Sequence, residues 1–192
     1  MLSILKEADE SLFLFLNGIN HPIFDPVMVF VSGKITWLPL YLILLVLLIR
    51  HYRWESIRIL LFVVLLISLS DQLSVRLFKD VFERLRPCHE PHLQLLVHLV
   101  NGKCGGQFGF VSSHAANSFA LAVFLGNVLS PVFKRSLTFL IAWAAVVSYS
   151  RIYLGVHYPA DILVGAMLGA VIGWLVLMAY RFMVEKFCPK SC

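Results

Sequence analysis

The sequence predicts an all-α integral membrane protein. We expect a helical bundle of about five transmembrane helices, with an N-terminal segment that is interfacial or forms a short sixth helix. Two observations predict this class. Hydrophobic residues make up 59% of the chain and its mean hydropathy is +0.83, more apolar than a soluble core requires. The apolar residues also form long, nearly uncharged runs, and roughly 20 residues of helix cross about 30 Å of hydrocarbon. With 192 residues, a single domain over residues 1–192 is expected.

Five apolar runs are candidates for the spanning helices. They are Thr36–Ile49, extendable back through Asp25–Ser32, then Ile57–Leu77, Asn117–Leu129, Ser136–Ser150 and Ile162–Tyr180. The two shorter runs reach spanning length only with flanking residues, so tilt or partial burial is expected. The N-terminal segment 1–24 has only the short apolar stretch Glu10–Ile19, which suits the membrane interface. Acids precede this stretch where a signal peptide has positive charge, so a cleaved signal is not predicted.

The positive charge of the chain follows membrane topology. Lys and Arg total 16 against 11 acids. On one side of the five-helix arrangement lie Arg50, Arg53, Arg58, Lys134, Arg135, Arg181, Lys186 and Lys190. The positive-inside rule places that side in the cytoplasm and the loops 79–112 and 151–160 outside. No nucleic-acid partner is therefore expected. The compact size and short loops favour a bacterial protein, so we predict a multi-pass protein of the bacterial cytoplasmic (inner) membrane.

One long polar loop, residues 84–112, interrupts the apolar pattern. Loops of this length inside compact proteins are usually functional or mobile. It contains Cys88 and Cys104, which could pair as a disulfide in an oxidising periplasm. Its end predicts a helix start with Ser112 as N-cap, and Pro159 predicts a second start. Helix N-termini offer unpaired N–H groups and a positive dipole end, which are the ingredients of an anion site.

Three polar clusters stand where the bundle meets the outside: Lys79-x6-Arg86-Pro87, Ser112-Ser113-His114, and Ser150-Arg151-x5-His157-x3-Asp161. If the helix that carries Lys79 continues to Pro87, Lys79 and Arg86 share one face of it, because seven residues make about two turns. Taken alone, each cluster has an ordinary interpretation, such as snorkelling cations or a helix cap. In the third, the Asp161 carboxylate can accept a hydrogen bond from the His157 ring, which leaves the other ring nitrogen free as a nucleophile or base.

Taken together, the clusters resemble the signature of the type 2 phosphatidic acid phosphatase (PAP2) superfamily: Lys-x6-Arg-Pro, Pro-Ser-Gly-His, and Ser-Arg-x5-His-x3-Asp. Their order and internal spacings match, and the motifs cover about Lys79–Asp161. The second motif departs from the family pattern, with Val111 in place of Pro and Ser113 in place of Gly. The resemblance implies a membrane enzyme that hydrolyses a phosphate monoester or diphosphate on a lipid.

The resemblance also implies which residues bind the phosphate. Lys79, Arg86 and Arg151 would bind its nonbridging oxygens, for which the Arg fork is well suited. Ser112, with the N–H groups of Ser113 and the residue after it, would complete the cradle and hold transition-state charge.

The same resemblance assigns the reacting groups. His157 would attack phosphorus and form a phosphohistidine, oriented by Asp161. His114 would protonate the leaving group and then activate water. No metal and no cofactor are expected, because three cations and two helix ends already neutralise the phosphate. His89 and His92 have a short spacing that could bind a metal, but no acid or thiol cluster accompanies them. No partner is predicted for His21, His51 and His98, and all five are interpreted as loop or interface histidines.

Two other classes stay open at this point. A lipid phosphotransferase could use the same phosphohistidine, and a transporter could use Asp71 and Arg76 as pathway residues. The expected substrate is a membrane lipid phosphate, with undecaprenyl diphosphate, phosphatidylglycerophosphate, phosphatidic acid and lipid A as candidates. The sequence does not predict an oligomeric state. The last apolar run carries Gly165-x3-Gly169-x3-Gly173, and small residues at this spacing predict close helix packing within the chain.

Overall fold

The computed structural model describes residues 2–187, so Lys190 of the basic C-terminal tail lies outside the described residues. Helices account for the regular structure of this part of the chain. They are α1 (Leu2–Gly18), α2 (Phe24–Ser32), α3 (Leu38–Tyr52), α4 (Glu55–Leu73), α5 (Asp80–Phe82), α6 (Ser113–Val128), α7 (Ser136–Tyr153) and α8 (Pro159–Phe187). A π-helical segment, Ser74–Lys79, joins α4 to α5, and 3-10 turns cover Ile35–Trp37, Pro87–His89 and Val100–Gly102. The predicted all-α membrane bundle is confirmed.

Within residues 2–187, four helical stretches are long and apolar enough to cross a membrane. They are Ile35–Tyr52, Glu55–Phe82, Ser136–Tyr153 and Pro159–Lys186. The run predicted as the third span, Asn117–Leu129, falls in α6, which has only 16 residues, ten of them buried. Helix α6 packs against α4, α7 and α8, so its apolar residues face protein. The bundle therefore has four helices of spanning length around a shorter central one.

The first span does not extend back through Asp25–Ser32. That stretch belongs to the separate helix α2, and Gly33 after it has extended backbone, with φ −70° and ψ 134°. A 3-10 turn then leads into α3. The chain therefore turns before the first span, and α2 packs against α7 instead.

The core of the bundle is a buried apolar cluster shared by the long helices. Its members include Leu48, Ile59, Phe124, Leu140 and Leu177. In a bilayer the lipid tails are as apolar as these side chains, so the cluster stabilises the bundle through close van der Waals packing between the helices.

Helix α1 packs along the bundle at the end where the long loop lies. Phe13 is buried against Leu93 of that loop. Asn17 donates to the carbonyl oxygens of Ile152 and Tyr153 at the end of α7 (3.1 and 2.9 Å). Its side-chain oxygen accepts the N–H of His98 at 2.8 Å. One amide thus ties α1, the loop and α7 together, and α1 shapes the same end of the molecule as the polar clusters.

Candidate active site

Four helix ends meet at one end of the bundle and carry the three polar clusters there. Lys79 stands at the end of the π-helical segment, Arg151 in the last turn of α7, and Ser113 and His114 in the first turn of α6. His157 lies just before α8. Together with Arg86 these residues line a cavity of about 600 Å³. The sequence-predicted residues are therefore brought together, apart from Ser112 and Asp161, which do not line the cavity.

The cavity continues from this polar end into the apolar interior. Its far part is lined by Trp37, Leu44, Leu48, Leu121 and Trp143, from α3, α6, α7 and the turn before α3. A compartment with cations at one end and aliphatic and aromatic walls at the other suits an amphiphile with an anionic head.

His157 and Asp161 form a buried pair. The Nδ1 atom of His157 lies 3.3 Å from Oδ2 of Asp161, and the same carboxylate oxygen accepts the N–H of Tyr158 at 3.0 Å. His157 precedes the helix rather than lying on it, because α8 begins at Pro159 as predicted. With Nδ1 held by the carboxylate, Nε2 is the ring nitrogen left for chemistry.

The protonation state of His157 follows from its surroundings. Burial lowers the pKa of His157 well below its ordinary value of 6.5, and the nearby cations Arg86, Arg151 and Lys79 lower it further. The ring is therefore neutral near pH 7. A neutral imidazole keeps the lone pair that a nucleophile needs.

Arg86 is held by the long loop and not by a helix. The condition for Lys79 and Arg86 to share a helix face is not met, because α5 ends at Phe82 and Glu83 adopts left-handed backbone with φ 43°. The Arg86 guanidinium instead donates to the carbonyl oxygens of Phe108 (3.3 Å) and Cys104 (3.2 Å). The two ends of the loop are tied by the N–H of Gly109 donating to the carbonyl of Arg84 at 2.9 Å.

A disulfide closes the same loop. Cys88 and Cys104 are bonded, with their Cα atoms 5.9 Å apart. Since Cys104 supplies a carbonyl to Arg86, the bridge lies next to one of the phosphate-binding candidates.

Lys79 is held by a serine at the position where the family pattern has glycine. Its ammonium donates to Oγ of Ser113 at 2.9 Å, and that hydroxyl also bonds Oγ of Ser74 at 2.8 Å. Ser113 begins α6 with ordinary helical backbone, so its position does not require glycine. The departure from the motif therefore adds a contact to Lys79.

The Ser112 side chain caps helix α6 and is not among the residues that line the cavity. It is fully buried, and its hydroxyl caps α6 by accepting the N–H of Ala115 at 3.4 Å, as the predicted N-cap should. Its own N–H donates to the carbonyl of Asp161 at 3.0 Å, which joins the starts of α6 and α8.

Several residues at the site were missed by the sequence analysis. Arg151 donates to the hydroxyl of Ser32, and Ser32 and Lys34 line the cavity beside it. Arg84 pairs with Asp161 at 3.1 Å and with Asp9 at 2.7 Å. The sequence offered no spacing signal for these contacts, because their partners are 75 or more residues apart.

The remaining polar candidates have other surroundings. His98 lies 2.9 Å from Oδ1 of Asp25, so this histidine has a partner that the sequence did not reveal. Asp71 lines the cavity, whereas Arg76 is exposed and does not. Within residues 2–187, no three His, Cys, Asp or Glu side chains cluster as metal ligands.

A neutral histidine paired with a carboxylate, beside Lys and Arg side chains and a helix start, can bind a phosphate and attack it. In a helical membrane bundle, this combination defines a membrane phosphohydrolase. Comparison with known proteins agrees. The sequence model described as PAP2 superfamily matches residues 57–184, and the chain belongs to this family.

Its relatives include lipid phosphatases. The lipid A 4'-phosphatase of Bacteroides thetaiotaomicron is 40% identical, over 99% of this chain and 83% of that protein. A protein of the same name from Porphyromonas gingivalis is 34% identical, over 100% of this chain and 80% of its own length. The crystal structure of the transmembrane PAP2 type phosphatidylglycerolphosphate phosphatase from Bacillus subtilis has a TM-score of 0.72 and 25% identity, covering 96% of this chain and 89% of that one. The protein is accordingly a lipid phosphatase of the PAP2 type.

Proposed function

We propose that this phosphatase hydrolyses a phosphate monoester on a lipid of the lipid A type, with His157 as the nucleophile. The observation that carries the lipid substrate is the cavity, which joins a cationic end to an apolar interior. The full-length similarity to two lipid A 4'-phosphatases supports the 4'-phosphate as the first candidate. Phosphatidylglycerophosphate is the second, because the Bacillus subtilis structure shares the fold over 96% of this chain.

In the proposed reaction, the phosphate enters the polar end of the cavity. Lys79, Arg86 and Arg151 bind its nonbridging oxygens, and the N–H groups at the start of α6, at Ser113 and beyond, face the charge that builds in the transition state. The Ser112 hydroxyl stabilises that helix start as its cap.

His157 then attacks phosphorus through Nε2, and the bond from phosphorus to the lipid oxygen breaks. Burial, and after it the charge of Arg151, lower the pKa of the His114 ring to about 3, so the ring is neutral until it takes up the proton that a phosphate monoanion carries into the site. His114, which also lines the cavity, then gives this proton to the departing lipid alkoxide. Asp161 stabilises the positive charge on the phosphorylated ring. His114 next takes a proton from water as that water attacks phosphorus, which releases inorganic phosphate and restores neutral His157. A lipid alcohol in place of water would make the same site a phosphotransferase.

We also propose that the site faces the periplasm from the bacterial inner membrane. Support comes from the excess of Lys and Arg in the loop between α3 and α4 and in the loop between α6 and α7, both at the end of the bundle opposite the site.

Phosphate release by purified protein in EDTA tests the reaction. The substrates are lipid A, phosphatidylglycerophosphate, phosphatidic acid and undecaprenyl diphosphate, and mass spectrometry of the product locates the phosphate lost. We expect the fastest release from the 4' position of lipid A, with vanadate as a competitive inhibitor. His157→Ala should lose at least about 1000-fold in kcat, as nucleophile removal does elsewhere. His51→Ala, which changes an exposed histidine away from the cavity, is the matched control.

Three results would contradict the proposal. Equal rates for wild type and His157→Ala would exclude that nucleophile. Loss of activity on chelation would mean that a metal is required. Faster release from phosphatidylglycerophosphate than from lipid A would replace the substrate by the second candidate.

A further inference from the structure

The buried carboxylate of Asp161 has a second partner besides His157. Its Oδ1 atom accepts a hydrogen bond from Nη1 of Arg84 at 3.1 Å, whereas Oδ2 faces His157. The Arg84 guanidinium also lies over the ring of Tyr158, with its central carbon 3.9 Å from the ring centroid. The carboxylate, the guanidinium plane and the histidine are therefore fixed relative to one another.

Arg84 is in turn held by helix α1. Its Nη2 atom donates to Oδ2 of Asp9 at 2.7 Å. The other oxygen of Asp9 accepts the N–H of Ala160 at 2.9 Å, in the first turn of α8. A continuous chain of contacts thus runs from His157 through Asp161 and Arg84 to Asp9, and returns to α8. Asp9 lies before the stretch matched by the family's sequence model, residues 57–184.

The charge of Asp161 explains why these contacts matter for the active site. Asp161 has no exposed surface, and a carboxylate removed from water is costly unless a cation pairs with it. His157 cannot supply that cation in the resting enzyme, because its ring is neutral. Arg84 is the cation in direct contact with Asp161. Asp9 offsets the charge of Arg84 while the reaction moves positive charge onto His157.

We propose that Arg84 is a positioning residue that keeps Asp161 ionised and aimed at His157, and that Asp9 of α1 anchors Arg84 for this task. The inference rests on the proposed function. It makes the N-terminal helix part of the catalytic apparatus, in addition to its packing on the bundle. Neither Arg84 nor Asp9 lines the cavity, so the phosphate is bound without them. Their loss should therefore affect turnover and leave substrate binding nearly intact.

The test compares kcat and KM of wild type with Arg84→Gln, Arg84→Lys and Asp9→Asn. In metal sites, loss of a partner that orients a histidine or carboxylate ligand costs about 10–100-fold in activity. By the same reasoning we expect kcat to fall about 100-fold in Arg84→Gln and about 10-fold in Asp9→Asn. KM should stay within about threefold, because contacts to the substrate are retained. Arg84→Lys should recover part of kcat, since it restores the charge but not the fork. The matched control is Lys103→Gln, which removes an exposed cation of the same loop.

Chemical rescue separates positioning from a merely structural role. In Arg84→Ala, added guanidinium chloride should raise kcat at least about fivefold, whereas equal sodium chloride should not, since only guanidinium restores the lost fork. Gel filtration in detergent checks that each variant is folded, and Asp9→Asn keeps the proposal testable if Arg84 variants do not fold.

The overturning results are distinct from those for the function itself. Active wild type together with unchanged kcat in Arg84→Gln or Asp9→Asn would reject the positioning role alone. A higher KM at constant kcat would place Arg84 in substrate binding instead. Wild type that releases no phosphate from any lipid tested would remove the proposed function and this inference with it.

Discussion

Gly169 of α8 lies against the backbone carbonyl of Ala116 in α6, so closely that a Cβ on this glycine would stand 2.1 Å from the oxygen. Gly165 approaches the carbonyl of Ser112 in the same way, where a Cβ would stand at 2.8 Å. The sequence prediction of close packing at this glycine stripe is confirmed. It brings together the starts of two helices, where the N–H of Ser112 meets the carbonyl of Asp161.

Gly169→Ala should destabilise the protein more than an ordinary helix substitution. The added methyl group meets backbone rather than a movable side chain, and overpacking of this kind costs about 1–3 kcal/mol or more. The thermal midpoint in detergent and the folded yield measure the effect. Gly18→Ala is the control, because a Cβ at that glycine has no neighbour within 4 Å. Equal midpoints for the two variants would mean that α6 and α8 pack less closely than described.

His114→Ala should separate the two chemical steps. When His114 can no longer donate a proton to the leaving group, an alkyl phosphate should react at least about 100-fold more slowly, in line with the usual contribution of general acid–base groups. p-Nitrophenyl phosphate has a leaving group that needs no proton, so phosphorylated His157 should form and persist because water is not activated. Acid-labile, alkali-stable phosphate on the protein, measured by intact mass, reports this state. Absence of any phosphoenzyme, with both substrates slowed equally, would exclude the assigned role of His114.

Ser113→Ala should weaken phosphate binding by releasing Lys79. The hydroxyl is a contact to the Lys79 ammonium, and a lost hydrogen bond to a charged group costs about 1.5–3 kcal/mol. We expect KM to rise about tenfold, at the lower part of that range, with a smaller change in kcat. Ser68→Ala is the control, since Ser68 is an exposed helix serine whose hydroxyl donates to the carbonyl of Val64 within its own helix. An unchanged KM would show that Lys79 keeps its place without the serine.

The Cys88–Cys104 bridge should support both stability and Arg86. Closing a loop of this length contributes about 3 kcal/mol in the chain-entropy description. The double substitution to serine should lower the free energy of unfolding by about that amount. It should also raise KM, because Arg86 loses a firmly held carbonyl at Cys104. Non-reducing peptide mapping of wild type should give one linked pair. Two free thiols at these positions would contradict the pairing.

Labelling in intact cells tests the orientation. Leu95 in the long loop is 99% exposed, so a cysteine at this position should react with a membrane-impermeant maleimide if the loop faces outward. A cysteine at Lys134, which is exposed between α6 and α7, should react only after the cells are opened. The reverse pattern would invert the topology, and with it the proposed periplasmic site.

Much of the site could be predicted from the sequence, because its residues lie in short motifs at helix ends. Apolar runs predicted which segments form helices, and Ser112 and Pro159 predicted where two of them begin. The alternating direction of successive helices then places their polar ends on the same side of the membrane. For this reason Lys79, Arg151 and His157 were expected at one face and line one cavity.

The parts that were missed depend on irregular backbone and on distant pairs. The helix ends at Phe82 without a glycine or proline that would predict this end. The position of Arg86 in the loop could therefore not be predicted from the spacing of the motif. Arg84 and Asp9 contact each other across 75 residues, and only the packing of α1 brings them together. Their charges were visible in the sequence, but their partnership was not.

The reacting groups lie at the starts of helices that pack tightly against each other, whereas part of the apolar wall of the cavity lies on a helix with little buried surface. The two histidines that react lie at the starts of α6 and α8, and these two helices are in backbone contact at Gly169. The opposite wall comes partly from the span Ile35–Tyr52, which contains α3 and of which only 11% is buried within the protein. Substitutions along α3 can therefore alter which lipid tails fit while leaving phosphoryl transfer intact.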